Sequence, residues 1–112
     1  MKITPLKENG VWIIQLDGTL DSFTSKNFEE LLLEGITQAN TKIILDAAHL
    51  EYVSSAGLRI FYVAAQRLRE RGGKMVFCAL TPHVRRVFEI VDMASEFQLF
   101  TTRADAMKEF MT

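Results

Sequence analysis

The residues best placed to do chemistry in this chain are two adjacent serines, Ser54 and Ser55, within Glu51-Tyr-Val-Ser-Ser-Ala-Gly-Leu-Arg-Ile-Phe61. Upstream, Lys42–Asp46 is an apolar run of strand length; downstream, Leu58, Phe61, Tyr62, Ala65 and Leu68 recur at helical spacing. The serines therefore fall where a strand turns into a helix, at or beside the N-cap. A hydroxyl there accepts from the unpaired N–H groups of the first turn, and the helix dipole makes the same spot hospitable to a phosphate. One cap needs only one serine. Gly57 adds a second signal, because glycine inside a helix costs roughly 1 kcal/mol against alanine; its presence predicts that something approaches the backbone closely.

Enzymatic arrangements find little support. The chain has no Gly-x-Ser-x-Gly elbow, no Walker loop, no Gly-x-Gly-x-x-Gly after a strand and no His-x-x-x-His pair. His49 and His83 stand apart from each other and from Cys78, as surface or capping histidines do. Asp46, at a strand end, suggests a phospho-acceptor aspartate, but that chemistry needs a magnesium-holding acidic cluster, for which only Asp17 and Asp21 are at hand. We expect a protein that is not an enzyme, with no catalytic residue, metal site or cofactor of its own.

Composition narrows the class further. The 112 residues fit one domain spanning 1–112, and a hydrophobic share of 48% suffices for a core without disulfides or metal. Thirteen basic and fourteen acidic side chains leave a formal charge of −1, which gives no support for nucleic-acid or acidic-membrane binding. The single cysteine, Cys78, rules out a disulfide framework and fits a small core residue in a strand. Met1-Lys-Ile-Thr-Pro lacks the apolar stretch of a signal peptide, and no run approaches the ~20 apolar residues that span a bilayer. A cytoplasmic protein without membrane insertion is the expectation.

The serine corner needs a scaffold, and the rest of the chain supplies one. Residues 2–7 predict an edge strand, since Pro5 cannot donate a ladder hydrogen bond. Asn9-Gly10 is a hairpin signal that folds it antiparallel onto Val11–Leu16. After a turn-rich loop, Phe28, Leu31, Leu32, Ile36 and Ala39 make a helical stripe ending near Asn40. The Ser-Ser helix closes with Arg67, Arg69 and Arg71 before Gly72-Gly73. Lys74–Leu80 is the next strand, Thr81-Pro82 starts a third helix, Phe97–Phe100 is a last short strand, and Thr102 with Asp105 opens a last helix carrying Ala106, Met107 and Phe110 inward. Strands alternating with helices predict an α/β fold with a mainly parallel sheet and right-handed crossovers. Three loops, Asp17–Phe23, Ala47–Ser55 and Leu80–His83, then fall at the carboxyl edge of that sheet, where functional loops gather.

Tyr52-Val-Ser-Ser-Ala-Gly-Leu-Arg59 resembles the signature of the STAS domain, the fold of bacterial anti-sigma factor antagonists. Ser54 stands where many members have Asp, and Ala56 where many have Ser or Thr. Leu16-Asp-Gly-Thr-Leu-Asp21 is similar to the family's Gly-x-Leu-Asp turn, and Ile44-Leu-Asp46 to its third-strand ending, so the resemblance covers nearly the whole chain. It implies a STAS-like single domain of four to five strands with an antiparallel N-terminal edge strand and about four helices. By position it makes Ser55 the regulatory phosphoserine, with Ser54 as second choice. It also implies partners: an anti-sigma factor that is a serine kinase, and a serine phosphatase that reverses the mark.

On this reading the partner surface comprises Asp21, Ser22, Phe23, Ser54, Gly57, Leu58, Arg59, Tyr62 and Thr81. Tyr62 could equally cover a neighbouring helix. Two other readings stay open: a STAS subunit of a lipid-transport ABC complex that grips its ATPase without phosphorylation, and a sensor holding a small ligand near Asp21 and Thr81.

Overall fold

The computed structural model describes residues 1–111; Thr112, the last residue of the expected single-domain span, lies outside the described residues. Nine elements follow one another: β1 (Lys2–Glu8), β2 (Val11–Leu20), α1 (Ser25–Thr37), β3 (Lys42–Val53), α2 (Ser55–Glu70), β4 (Lys74–Cys78), α3 (Pro82–Ile90), β5 (Leu99–Phe100) and α4 (Arg103–Glu109). The strands form one sheet in the order β1-β2-β3-β4-β5. The hairpin through Asn9-Gly10 makes β1 antiparallel to β2, with both turn residues at positive φ. All other neighbours are parallel.

That order decides where the helices go. Each parallel step is a right-handed crossover in one direction along the sheet, so α1, α2 and α3 share one face. Their apolar stripes meet Ile14, Leu16, Ile43, Leu45, Met75 and Phe77 in the larger core, where Phe61 lies edge-on to Phe77 at 4.9 Å and Phe77 to Phe88 at 5.1 Å. The alternate strand residues Val11, Ile13, Ile44, Val76 and Cys78 face the other way, covered by Ala106 and Met107 of α4. Cys78 is fully buried there, and burial, seconded by the Asp46 carboxylate, pushes its thiol up to about 12.

Two loops expected at the carboxyl edge are largely strand. β2 runs on to Leu20 and β3 to Val53, pairing Asp17 with His49, Gly18 with Leu50, Thr19 with Tyr52 and Leu20 with Val53. Register shifts between Gln15 and Asp17 and between Gly18 and Thr19 are bulges, which break the two-residue alternation in the 47–53 segment. At the other edge, Phe97 is a buried plug rather than part of the last strand, which is only Leu99–Phe100.

Candidate functional site

The junction between β3 and α2 divides its two hydroxyls between two tasks. Ser54 sits in an extended conformation as N-cap of α2, and its Oγ accepts from the Gly57 amide at 3.2 Å. Its own amide donates to the Leu20 carbonyl at 2.8 Å. Ser55, the first helical residue, is exposed.

Gly57 is explained from inside the domain. A Cβ at this position would lie 2.8 Å from Leu20 and from Val53 side-chain atoms, because the first turn of α2 presses on the ends of β2 and β3. The close approach expected at Gly57 is thus made by the protein's own core. Leu58, only 9% exposed, belongs to that core as well. Both residues were expected on a partner surface; the structure buries both, because the first turn of α2 is packed on the ends of β2 and β3.

Asp21 builds the neighbouring turn. Its Oδ1 accepts from the amides of Phe23 at 2.9 Å and Thr24 at 3.1 Å, while its own amide donates to Thr24 Oγ1 at 2.9 Å. These amides, Thr24 first, hold the Asp21 carboxyl below the usual carboxylate range. The Thr24 hydroxyl turns back to the Thr19 carbonyl rather than capping α1. Held this way, Ser22 is exposed and Phe23 projects outward, 90% exposed.

Thr81 joins the same end of the molecule. As N-cap of α3 it accepts from the Val84 amide and donates to the Leu50 carbonyl at 3.2 Å, fastening α3 to the extension of β3. Next to it, Tyr52 and His83 stack with ring centroids 6.3 Å apart and planes at 21°. Tyr52 is 46% exposed. This aromatic pair was not expected from the sequence, because Tyr52 was assigned to a loop; the signal available was its outward place in a longer strand.

On α2, Arg59 and Gln66 are exposed and Val63 is half-buried. Arg59 forms an ion pair with Glu29 of α1, Nη2 to Oε2 at 3.4 Å. Tyr62 is 42% exposed, and its ring lies 5.8 Å from Phe97, in the segment before β5 rather than on a neighbouring helix.

Asp46 is committed elsewhere. Its Oδ2 accepts from Arg103 Nη2 at 2.8 Å and Nε at 3.1 Å, and its Oδ1 from the Ala48 amide at 3.1 Å. Among the described residues, no three His, Cys, Asp or Glu side chains gather as a metal site. Recesses lie away from Asp21 and Thr81: a groove of about 700 Å³ lies between β1 and α1 beside Trp12, and a polar pit of about 190 Å³ beside Asp46. No helix of the described residues is long and apolar enough to cross a membrane.

The family model described as "STAS domain" matches residues 2–106. BtrV of Bordetella bronchiseptica, a protein described by name as an anti-sigma factor antagonist, is 38% identical over 112 residues, covering 100% of this chain and 97% of the relative. A crystal structure from Thermotoga maritima, of a protein described in the same terms, superposes with a TM-score of 0.94 at 17% identity, over 98% of this chain and 95% of the other. SpoIIAA from Bacillus superposes in its phosphorylated form with a TM-score of 0.78 at 19% identity, over 97% of this chain and 99% of that one. Its unphosphorylated form gives 0.77 at 18% identity, over 98% of each. With the family match running through almost every element and BtrV aligned end to end, this chain belongs to the STAS domain family.

Proposed function

We propose that this protein is an anti-sigma factor antagonist: its unmodified form binds an anti-sigma factor of the serine-kinase type, so freeing a sigma factor, and phosphorylation of Ser55 ends that binding. The observation that carries the reading is the division of labour at the corner. Ser54 is consumed as the cap, and Ser55 beside it is exposed, one residue into the helix. Further support comes from the role named for BtrV and from SpoIIAA, which has been solved with and without its phosphate. Asp21, Ser22, Phe23, Arg59, Tyr62 and Thr81 surround the corner as the docking face, and the Tyr52–His83 pair extends it.

In the modification, the γ-phosphoryl group of ATP held by the kinase passes to Ser55. The Oγ–P bond forms, the bond to the β-phosphate oxygen breaks, ADP leaves, and the hydroxyl proton goes to a base on the kinase. A serine phosphatase restores the hydroxyl with water. The phosphate adds about −1.5 to −2 charges. Beside the start of α2 this is favourable by about 0.3–1 kcal/mol, so the fold survives. In an interface the same charge must be desolvated, and an unpaired buried charge costs several kcal/mol. Since about 1.4 kcal/mol is tenfold in affinity, binding is switched off without unfolding.

Incubation with candidate anti-sigma kinases and ATP, followed by intact-mass analysis and mapping, tests the reading. One phosphate on Ser55 is expected, with Ser55→Ala binding the kinase constitutively and Ser55→Asp failing to bind. Equal binding by both variants would remove the switch.

A further inference from the structure

We propose that Arg59 exchanges partners when Ser55 is phosphorylated, leaving Glu29 on α1 and taking the phosphate one turn back on α2; this rests on the reading of Ser55 as the switched residue. Ser55 and Arg59 are four residues apart on one helix, which makes their side chains neighbours on one face. Helical side chains lean toward the N-terminus, so rotation of Arg59 away from Glu29 brings its guanidinium toward Ser55. An anionic group one turn N-terminal to a cation is also the better order for such a pair.

The present partner of Arg59 is easily displaced. Its contact with Glu29 is a single one at 3.4 Å, and the two side chains are 63% and 27% exposed. Exposed pairs of this kind contribute little. A phosphate offers nearly twice the charge of a carboxylate and three acceptor oxygens for a guanidinium fork. The exchange needs side-chain rotation alone.

The exchange relocates the added charge on the docking face. In the unmodified protein Arg59 and Glu29 compensate each other. After the exchange Arg59 offsets part of the phosphate and Glu29 is left uncompensated, so the negative charge spreads from Ser55 to α1, and α1 loses its ion pair to α2.

The test uses the full chain with phosphoserine built in at position 55 during translation, so that no kinase is needed. Phosphorus NMR follows the second ionisation of the phosphate, and nitrogen–proton NMR follows the Arg59 Nε–H. Pairing predicts a phosphate pKa lower by roughly 0.3 pH unit in the native sequence than in Arg59→Gln. It also predicts a moved Arg59 resonance, and a larger effect of Arg59→Gln when Glu29→Gln has removed the competitor. An unmoved Arg59 resonance, or the same phosphate pKa with and without Arg59, overturns the exchange. Absence of any kinase acting on Ser55 would overturn the proposed function and leave this result standing.

Discussion

The Ser54 amide donates to the Leu20 carbonyl at 2.8 Å, so the residue that caps α2 also ties the end of β2 to the end of β3. The hydroxyl and the amide can be separated by mutation. Ser54→Ala keeps the tie and deletes the cap, at a cost of about 1 kcal/mol, a few degrees in thermal midpoint. Ser55→Ala, at an exposed position outside the cap, should stay within about 0.5 kcal/mol of the parent. Thermal unfolding of both variants checks this, and an equal loss would show the cap to be assigned to the wrong serine.

Gly57 is a second pressure point. An added methyl would lie 2.8 Å from Leu20 and Val53 atoms. Overpacking costs about 1–3 kcal/mol, against roughly 1 kcal/mol gained in helix propensity. Gly57→Ala should therefore be neutral to destabilising by up to about 2 kcal/mol, and Gly57→Val, with a smaller propensity gain set against a larger clash, clearly worse. Urea titration of the pair gives the order; a stabilised Gly57→Val would contradict the packing described.

The ion pair from Asp46 to Arg103 fastens α4 to β3 across the smaller core. Arg103→Met leaves a carboxylate whose side chain is only 12% exposed with the Ala48 amide as its remaining donor, a loss of about 1–3 kcal/mol. Adding Asp46→Asn should recover part of that loss. A double-mutant cycle measures the coupling, and strictly additive effects would mean that the pair contributes nothing.

Cys78 gives an alkaline prediction. Its thiol is raised to about 12, first by burial, whereas an unfolded thiol ionises near 8.5. The folded state therefore holds this proton more tightly, so the contribution is complete below about pH 8.5 and is lost as pH climbs toward 12. Iodoacetamide at pH 8 should label Cys78 only on unfolding. Between pH 8 and 10 the urea midpoint should fall more steeply for the parent than for Cys78→Ala.

At the acid end the sign reverses. Asp21 is held low by the amides of Thr24 and Phe23, and Glu109 by hydrogen bonds from Lys74 and Gln98. Each gives stability that is present above the ordinary carboxylate range and lost as pH falls through about 4 and below. Asp21→Asn should flatten the decline in urea midpoint between pH 6 and 3, and an unchanged slope would remove Asp21 from the account.

Much of this architecture is legible in the residues. Thr81-Pro82 and Thr102 with Asp105 announce α3 and α4, and the structure caps both helices through those threonines. Asn9-Gly10 announces the hairpin, and Cys78 sits in a buried strand as its type suggests. The extension of β3 was hidden because its bulges destroy the alternation by which strands are read, and Ala47–Val53 looked like a loop. The core face of α2 was read too narrowly: Ile60 and Ala64 are buried as well, since a helix lying on a broad sheet buries more than one row. Gly57 reads as an anomaly in one dimension. Its cause is Leu20, brought against it only when β2 and β3 pair. The Arg59–Glu29 pair was equally invisible, because nothing local relates α1 to α2.

Neither rim of the sheet invites another strand. Pro5 stands mid-way along β1, opposite Ile14, and the far side finishes in only two residues, Leu99 and Phe100. A proline removes one backbone donor and so short a margin offers few free ones, the two devices by which sheets resist growing into one another. Edge-to-edge pairing of copies is thereby discouraged, and the sheet ends at its own five strands.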